Sequence, residues 1–135
     1  MKMIGVVLAT HGHLAQEMLR TAEAVVGKLA QVAAVSVVAT EPDVRGSIEA
    51  AIRSVDEGEG VLLLTDLLGG SPTNLCLSFL TERKVEVVTG VNLPMLLKLG
   101  GLRATGKSIE QVAHELAEAG QKSIGHASDL VRRMT

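Results

Sequence analysis

The sequence predicts a doubly wound α/β domain, with a mostly parallel sheet of four to five strands and helices on both faces. Four short runs rich in Val, Ile and Leu recur along the chain, at residues 3–9, 32–39, 60–66 and 85–91. Each run is nearly continuous rather than alternating in polarity, which is typical of strands covered on both faces. Segments with helical spacing separate the runs, and this alternation favours parallel strands joined by right-handed crossovers.

Helices are predicted between the runs, where apolar residues recur at intervals of three or four. Each of the first three strands is followed by one such segment. The apolar positions are Leu14, Met18, Leu19, Ala22, Val25 and Val26 in the first segment, Val44, Ile48, Ala51, Ile52 and Val55 in the second, and Leu75, Leu77, Phe79 and Leu80 in the third.

A closing helix is predicted near the C-terminus. Ser108 and Gln111 form a candidate capping box, in which the serine accepts from a backbone N–H one turn into the helix. The apolar positions that follow are Ile109, Val112, Ala113, Leu116 and Ala117. Before this helix in the sequence, Met95 and Leu96 beside Pro94 are interpreted as packing residues.

Size and charge indicate one compact domain, residues 1–135, that does not bind nucleic acid. Nearly half of the 135 residues are apolar, which is enough to bury a core without disulfides. The 13 basic and 15 acidic residues give a net charge of −2, so no basic field opposes a phosphate backbone. The chain has no Trp or Tyr and a single Phe, so platforms for stacking bases are also missing.

A cytoplasmic location is expected. The lone cysteine, Cys76, cannot form an internal disulfide and sits in an apolar stretch that predicts a buried thiol. The apolar run at the N-terminus is brief and lacks a small-x-small cleavage site, so it is interpreted as a strand rather than a secretion signal. No apolar stretch approaches the ~20 residues of a membrane helix, so no direct membrane insertion is expected.

Polar residues follow three of the predicted strands at their carboxyl ends, where open parallel sheets bind ligands. The first strand ends in THGH (10–13), the third in TDLLGGSPTN (65–74) and the fourth in TGVNLPM (89–95). If the first and third strands are neighbours, His11 and Asp66 face each other across one edge of the sheet.

The chemistry of such a pair is specific. A carboxylate that accepts the proton of one imidazole nitrogen fixes the tautomer and leaves the other nitrogen free to attack. Asp66 would therefore orient His11. The adjoining GGSP offers glycines that allow close approach, Ser71 as a helix N-cap and Pro72 as the first helical residue, which together predict an anion site.

Each of these residues also has a purely structural interpretation, since polar side chains commonly satisfy loop backbone. Asp66 is able to cap the following turn, and a Gly-Gly-Ser-Pro sequence occurs at many strand-to-helix turns. The same applies to Thr65, Asn74 and Asn92. Among the remaining histidines, His13 is interpreted as marking the start of a helix and, secondarily, as a possible metal ligand, whereas His114 and His126 are interpreted as surface or interface residues.

The stretches GVVLATHGHLAQEML, GVLLLTDLLGGSPTN and VEVVTGVNLPMLL resemble the IIA domain of the mannose (mannose/fructose/sorbose) family of the bacterial phosphoenolpyruvate-dependent sugar phosphotransferase system. The likeness runs from the first strand past Pro94. In that family, the histidine of THG accepts a phosphoryl group from phosphorylated HPr and passes it to a IIB component for sugar uptake. The match implies that His11 forms the phosphohistidine, with Asp66 beside it and Ser71 holding phosphoryl oxygens.

The resemblance has further implications. It implies a phosphotransferase component that works without a metal or another cofactor, in a homodimer whose subunits exchange an edge strand near the C-terminus. The C-terminal residues here show no clear strand pattern. Some members of the family have a bulky aromatic residue just before GGSP, and this chain has Leu68 there.

Three alternatives stay open on the sequence. The first is a regulatory phosphoacceptor of an incomplete phosphotransferase system, which uses the same His11 chemistry to signal to a protein partner. The second is a small chelatase-like enzyme that holds a divalent metal with His11, His13 and Asp66, although this leaves GGSPTN without a purpose. The third is the phosphocarrier of dihydroxyacetone kinases, which shares the fold but matches GGSPTN and GVNLPM less well.

Overall fold

The computed structural model describes residues 2–134, and the four predicted strands form a single parallel sheet within them. The strands are β1 (Gly5–His11), β2 (Val32–Val37), β3 (Val61–Thr65) and β4 (Val85–Val88), in the order β2-β1-β3-β4. The first and third strands are therefore neighbours, paired in parallel from Gly5 and Val61 to Ala9 and Thr65. This confirms the α/β fold class and the strand adjacency on which the predicted site depended.

Helices cover both faces of the sheet, as predicted. They are α1 (Leu14–Val26), α2 (Val44–Val55), α3 (Ser71–Leu77), α4 (Leu93–Arg103), α5 (Ile109–Lys122) and α6 (Ala127–Arg133). Alternate side chains of β1 enter two separate cores: Val6 and Leu8 pack with α1, α4 and α5, whereas Val7 and Ala9 pack with α2 and the residues around α3. Burial on both faces explains why the strand sequences are continuously apolar.

The end of β1 lies in the THGH stretch, where the sequence placed it, and it fixes the backbone of the site. The apolar run ends at residue 9, but the strand continues through Thr10 to His11, because His11 still pairs with Val37 of β2. The bond from Gly12 N to Val37 O (3.1 Å) closes the ladder. Strand pairing therefore fixes the backbone of His11 rather than leaving it on a loop.

Two helices were not predicted, and a third is shorter than its pattern. The periodicity gave no sign of α4, which begins where the Asn92 side chain accepts from Met95 N (3.1 Å), or of the exposed α6. The apolar pattern of α3 ran to Leu80, but the helix ends at Leu77 and the chain continues in tighter turns, as in the bond from Phe79 N to Cys76 O (3.1 Å). Phe79 is nevertheless fully buried.

The C-terminal part of the chain is helical. α5 begins as predicted, with the Ser108 hydroxyl accepting from Gln111 N (3.3 Å). Between Val88 and residue 134, where the description ends, the structure contains no strand. Exchange of a strand between subunits stays a prediction from the resemblance.

Within residues 2–134, none of the helices combines the length and the apolar character that a membrane crossing needs.

Candidate functional site

His11 and Asp66 meet at the carboxyl edge of the sheet, as the sequence predicted. His11 is the last residue of β1, and Asp66 directly follows β3. The Nδ1 atom of His11 lies 2.9 Å from Oδ2 of Asp66, and the backbone N–H of His11 donates to the same oxygen at 3.1 Å. One carboxylate oxygen therefore holds both the ring and the backbone of the histidine.

This contact determines which imidazole nitrogen is free. A carboxylate oxygen only accepts, so the bond at 2.9 Å requires the proton of His11 to be on Nδ1. In the neutral ring, Nε2 then carries the lone pair. The His11 side chain is 49% exposed while that of Asp66 is 14% exposed, so the imidazole is much more accessible than the carboxylate that anchors it.

Asp66 is held in its charged form. Burial alone would raise the pKa of this carboxyl, but the hydrogen bonds from the ring and the backbone N–H of His11 outweigh that effect and lower the pKa below the ordinary value of 3.8. The carboxylate is therefore ionised at neutral pH. It lies where it stabilises any positive charge that develops on the imidazole.

The loop from Asp66 to Gly70, which we call the β3–α3 loop, packs directly against His11. Gly69 has φ +85°, a conformation that favours glycine. At Gly70, a Cβ atom would lie 2.9 Å from Cε1 of His11 and 3.5 Å from Nε2. The sequence predicted that glycines here allow close approach, and at Gly70 the group approached is the imidazole itself.

Ser71 lies beside His11 but does not cap α3. Gly70, in an extended conformation, is the N-cap, and its carbonyl accepts from Asn74 N at 3.0 Å. Ser71 is therefore the first helical residue and Pro72 the second, each one position later than predicted. The exposed Ser71 lines a cavity of about 330 Å³ together with His11, and the other lining residues are Val37, Val38, Ala39, Glu41, Val44 and Leu75.

The other histidines lie apart from this chemistry. His13 is at the start of α1, where its Nδ1 lies 3.2 Å from Ser36 Oγ. His114 and His126 are exposed, and His114 lies 3.4 Å from Glu118. In the part of the chain that the structure describes, no three His, Cys, Asp or Glu side chains come together as a metal site would require.

Cys76 is buried, as predicted. Its burial raises the pKa of the thiol to about 12, so the sulfur stays protonated and unreactive at neutral pH.

Three buried threonines complete the surroundings of the site, and sequence reasoning did not find their roles. Thr10 Oγ1 accepts from Ala15 N at 2.7 Å, which anchors the start of α1. Thr65 and Thr73 join their hydroxyls at 2.7 Å beneath the β3–α3 loop. The only signal in the sequence was their position, since each lies within a few residues of a predicted site residue. Asn92 caps α4, in line with its structural interpretation.

Comparison with known proteins assigns the family. A family model described as "PTS system fructose IIA component", EIIA-man, matches residues 5–126, which is most of the chain. The chain belongs to the EIIA-man family. The resemblance noted in the sequence is thereby confirmed, and the His11–Asp66 edge lies within the part that matches.

Relatives of known name and structure agree with membership of the EIIA-man family. The mannose-specific EIIAB component of Escherichia coli K12 is 32% identical over 125 residues, which cover 90% of this chain and 38% of that protein. The chain thus spans less than two fifths of that relative. The EIIA structure from Streptococcus agalactiae has a TM-score of 0.83 at 26% identity, covering 94% of this chain and 99% of that one. The PTS IIA protein associated with the fucose utilization operon of Streptococcus pneumoniae has a TM-score of 0.80 at 30% identity, covering 97% and 99%.

Replacing Gly70 with alanine should displace the imidazole. The added methyl group would lie 2.9 Å from Cε1, so the ring must turn away and its bond to Asp66 must weaken. We expect the Nδ1-bound proton of His11 to exchange with water faster and its NMR signal to broaden or vanish. Gly100→Ala is the control, because a Cβ there meets nothing within 4 Å. An unchanged His11 signal in Gly70→Ala would show that the loop does not constrain the ring.

Replacing Asp66 with asparagine should cost stability in a pH-dependent way. Because folding lowers the pKa of Asp66 below 3.8, the charged carboxylate stabilises the fold above that pH, and this contribution is lost as the pH falls through the lower pKa of the folded protein. The difference between wild type and Asp66→Asn in the free energy of urea unfolding should be largest near neutral pH and shrink below about pH 4.

Asp129→Asn is the control for this measurement. Asp129 forms an exposed ion pair with Arg133 (3.1 Å), and such pairs contribute little to stability. A difference for Asp66→Asn that is as large in acid as at neutral pH would contradict a charged Asp66 in the folded protein.

Proposed function

We propose that this protein is a phosphocarrier of a sugar phosphotransferase system. It accepts a phosphoryl group on Nε2 of His11 from phosphorylated HPr and passes it to a IIB component, which uses it for sugar uptake and phosphorylation. The observation that carries the proposal is the bond between His11 Nδ1 and Asp66, because it leaves Nε2 as the nucleophile. Membership of the EIIA-man family supports it.

The transfer follows from this geometry. The lone pair of Nε2 attacks the phosphorus of the donor phosphohistidine, a new N–P bond forms, and the N–P bond of the donor breaks with its electron pair returning to the donor imidazole. The Nδ1 proton of His11 stays in place and need not move. Positive charge develops on the ring, and the Asp66 carboxylate at 2.9 Å stabilises it.

The residues around His11 position the phosphoryl group. Phosphoryl transfer leaves little covalent work to the protein, so catalysis comes from in-line placement and from stabilising the equatorial oxygens. Ser71 shares a cavity with His11, and we assign its hydroxyl as a donor to a phosphoryl oxygen. Passing the group to the acceptor repeats the same step in the reverse direction.

The surface around His11 suits a protein donor and a protein acceptor. Leu67 and Leu68, adjacent on the β3–α3 loop, are 57% and 75% exposed, so together they present apolar surface at the tip of the loop. Because this loop also carries Asp66 and Gly70, a partner that covers the two leucines is brought next to the imidazole. We propose that they form part of the docking surface for HPr and IIB.

The phosphoacceptor role is tested by labelling. Incubation of the wild-type protein with labelled phosphoenolpyruvate, enzyme I and HPr should yield an acid-labile, base-stable phosphate on the protein. His11→Ala should take up none, while His13→Ala and His114→Ala should be labelled like the wild type. Label that persists on His11→Ala, or that disappears from His114→Ala, would overturn the assignment.

The docking role is tested with Leu68→Asp. A charge in place of the exposed leucine should raise the KM for phosphorylated HPr by roughly tenfold, because interface contacts near the centre of a patch carry most of the binding energy. The kcat at saturating donor should change little. Leu130→Asp is the control, since Leu130 is similarly exposed (54%) but lies on α6. Equal effects of the two substitutions on KM would refute a docking role for this loop.

A further inference from the structure

A chain of buried hydroxyls lies directly beneath the site. Thr65, the last residue of β3, and Thr73, in α3, are 0% and 1% exposed. Their Oγ1 atoms lie 2.7 Å apart, and the Thr73 hydroxyl donates to the carbonyl of Leu67 at 2.6 Å. These two hydrogen bonds thus connect a strand, a helix and the β3–α3 loop between them.

The donor and the acceptor of each hydrogen bond among these hydroxyls are fixed. A hydroxyl has one hydrogen, and a carbonyl oxygen can only accept, so the Thr73 hydrogen is committed to Leu67. The Thr65 hydroxyl must therefore donate to Thr73. Hydrogen bonds in such a buried network are strong, and a member left without its partner is costly.

The Leu67 carbonyl is the point at which the loop is held. Besides the Thr73 hydroxyl, it accepts from Gly70 N at 3.3 Å, which closes the turn from residue 67 to residue 70. On the other side of Asp66, the backbone of Thr65 is fixed by its pairing with Ala9 and by the bond from Val91 N (2.9 Å). Asp66 is therefore anchored through both of its neighbours in sequence.

The same loop contacts the imidazole on two sides. Asp66 holds Nδ1 of His11 at 2.9 Å, and Gly70 lies so close that a Cβ would come within 2.9 Å of Cε1. A shift of the loop would change both contacts together. Thr73 is itself buried, and its hydroxyl bonds to Thr65 and to the Leu67 carbonyl, around which the loop turns.

We propose that Thr73 is a positioning residue for phosphoryl transfer, acting through the chain of hydroxyls from Thr65 to the Leu67 carbonyl to hold Asp66 and Gly70 against His11. The effect on transfer rests on the proposed function of His11, whereas the effect on the orientation of the ring does not. Two readouts therefore separate the two proposals.

Three variants test the role of Thr73. Thr73→Val has the same shape but removes the donor to Leu67 and leaves the Thr65 hydroxyl buried without its acceptor, so both the melting temperature and the transfer rate should fall. Thr73→Ser keeps the hydroxyl and should restore most of the rate. In Thr65→Val/Thr73→Val, both hydroxyls are gone, so stability should recover because no buried donor is left unpaired.

The double variant distinguishes positioning from simple stability. If Thr73 positions the loop, the transfer rate from phosphorylated HPr should stay lowered by about tenfold or more in the double variant, because small misplacements of reacting groups are expensive. Thr105→Val is the control: its hydroxyl also donates to a backbone carbonyl, that of Leu102 at 2.7 Å, but at the far end of α4. Transfer rates that simply follow the melting temperature across the series would overturn the proposal.

The orientation of the ring is measured without any phosphoryl donor. In Thr73→Val and in the double variant, the Nδ1-bound proton of His11 should exchange faster than in the wild type, and Thr73→Ser should restore the slow exchange. If His11 proves not to be the phosphoacceptor, this readout still decides the role of Thr73. Exchange that is unchanged in both valine variants would show that the hydroxyl chain does not position the imidazole.

Discussion

The site depends on one carboxylate oxygen that accepts two hydrogen bonds from a single residue. Oδ2 of Asp66 binds both Nδ1 and the backbone N–H of His11, so the ring is fixed relative to the strand that carries it. The two bonds also lower the pKa of Asp66 against the opposing effect of burial. The charge, the tautomer and the orientation of the imidazole therefore follow from the same contact.

The fold supplies this contact through strand adjacency. His11 and Asp66 are 55 residues apart in sequence, but β1 and β3 are neighbours in the sheet, and their parallel register brings the two residues to the same edge. Continuous burial makes the two strands rigid, whereas the β3–α3 loop that follows β3 has exposed leucines at its centre. Its position depends on the residues beneath it, notably the buried hydroxyls of Thr65 and Thr73.

The sequence revealed those features that repeat along the chain. Strands buried on both faces leave continuous apolar runs, and the amphipathic helices α1, α2 and α5 leave a period of three to four, so all were predicted. α4 was missed because LPMLLKLGGLR is apolar on most of its surface and contains two glycines, so it shows no clear polar face. Ser71 was misplaced as the cap because the conformation of Gly70 decides where α3 begins. Thr73 has no sequence signature, since its role depends on contacts with Thr65 and Leu67.

The most direct test of this account is the position of the phosphoryl group on the imidazole. Nitrogen-15 and phosphorus-31 NMR of the phosphorylated protein, with its histidines labelled, identifies the bonded nitrogen from its coupling to phosphorus. The contact between Nδ1 and Asp66 predicts phosphorus on Nε2 of His11, with the proton retained on Nδ1. Phosphorus on Nδ1 would contradict the account, because the ring would then have to leave Asp66 before it could react.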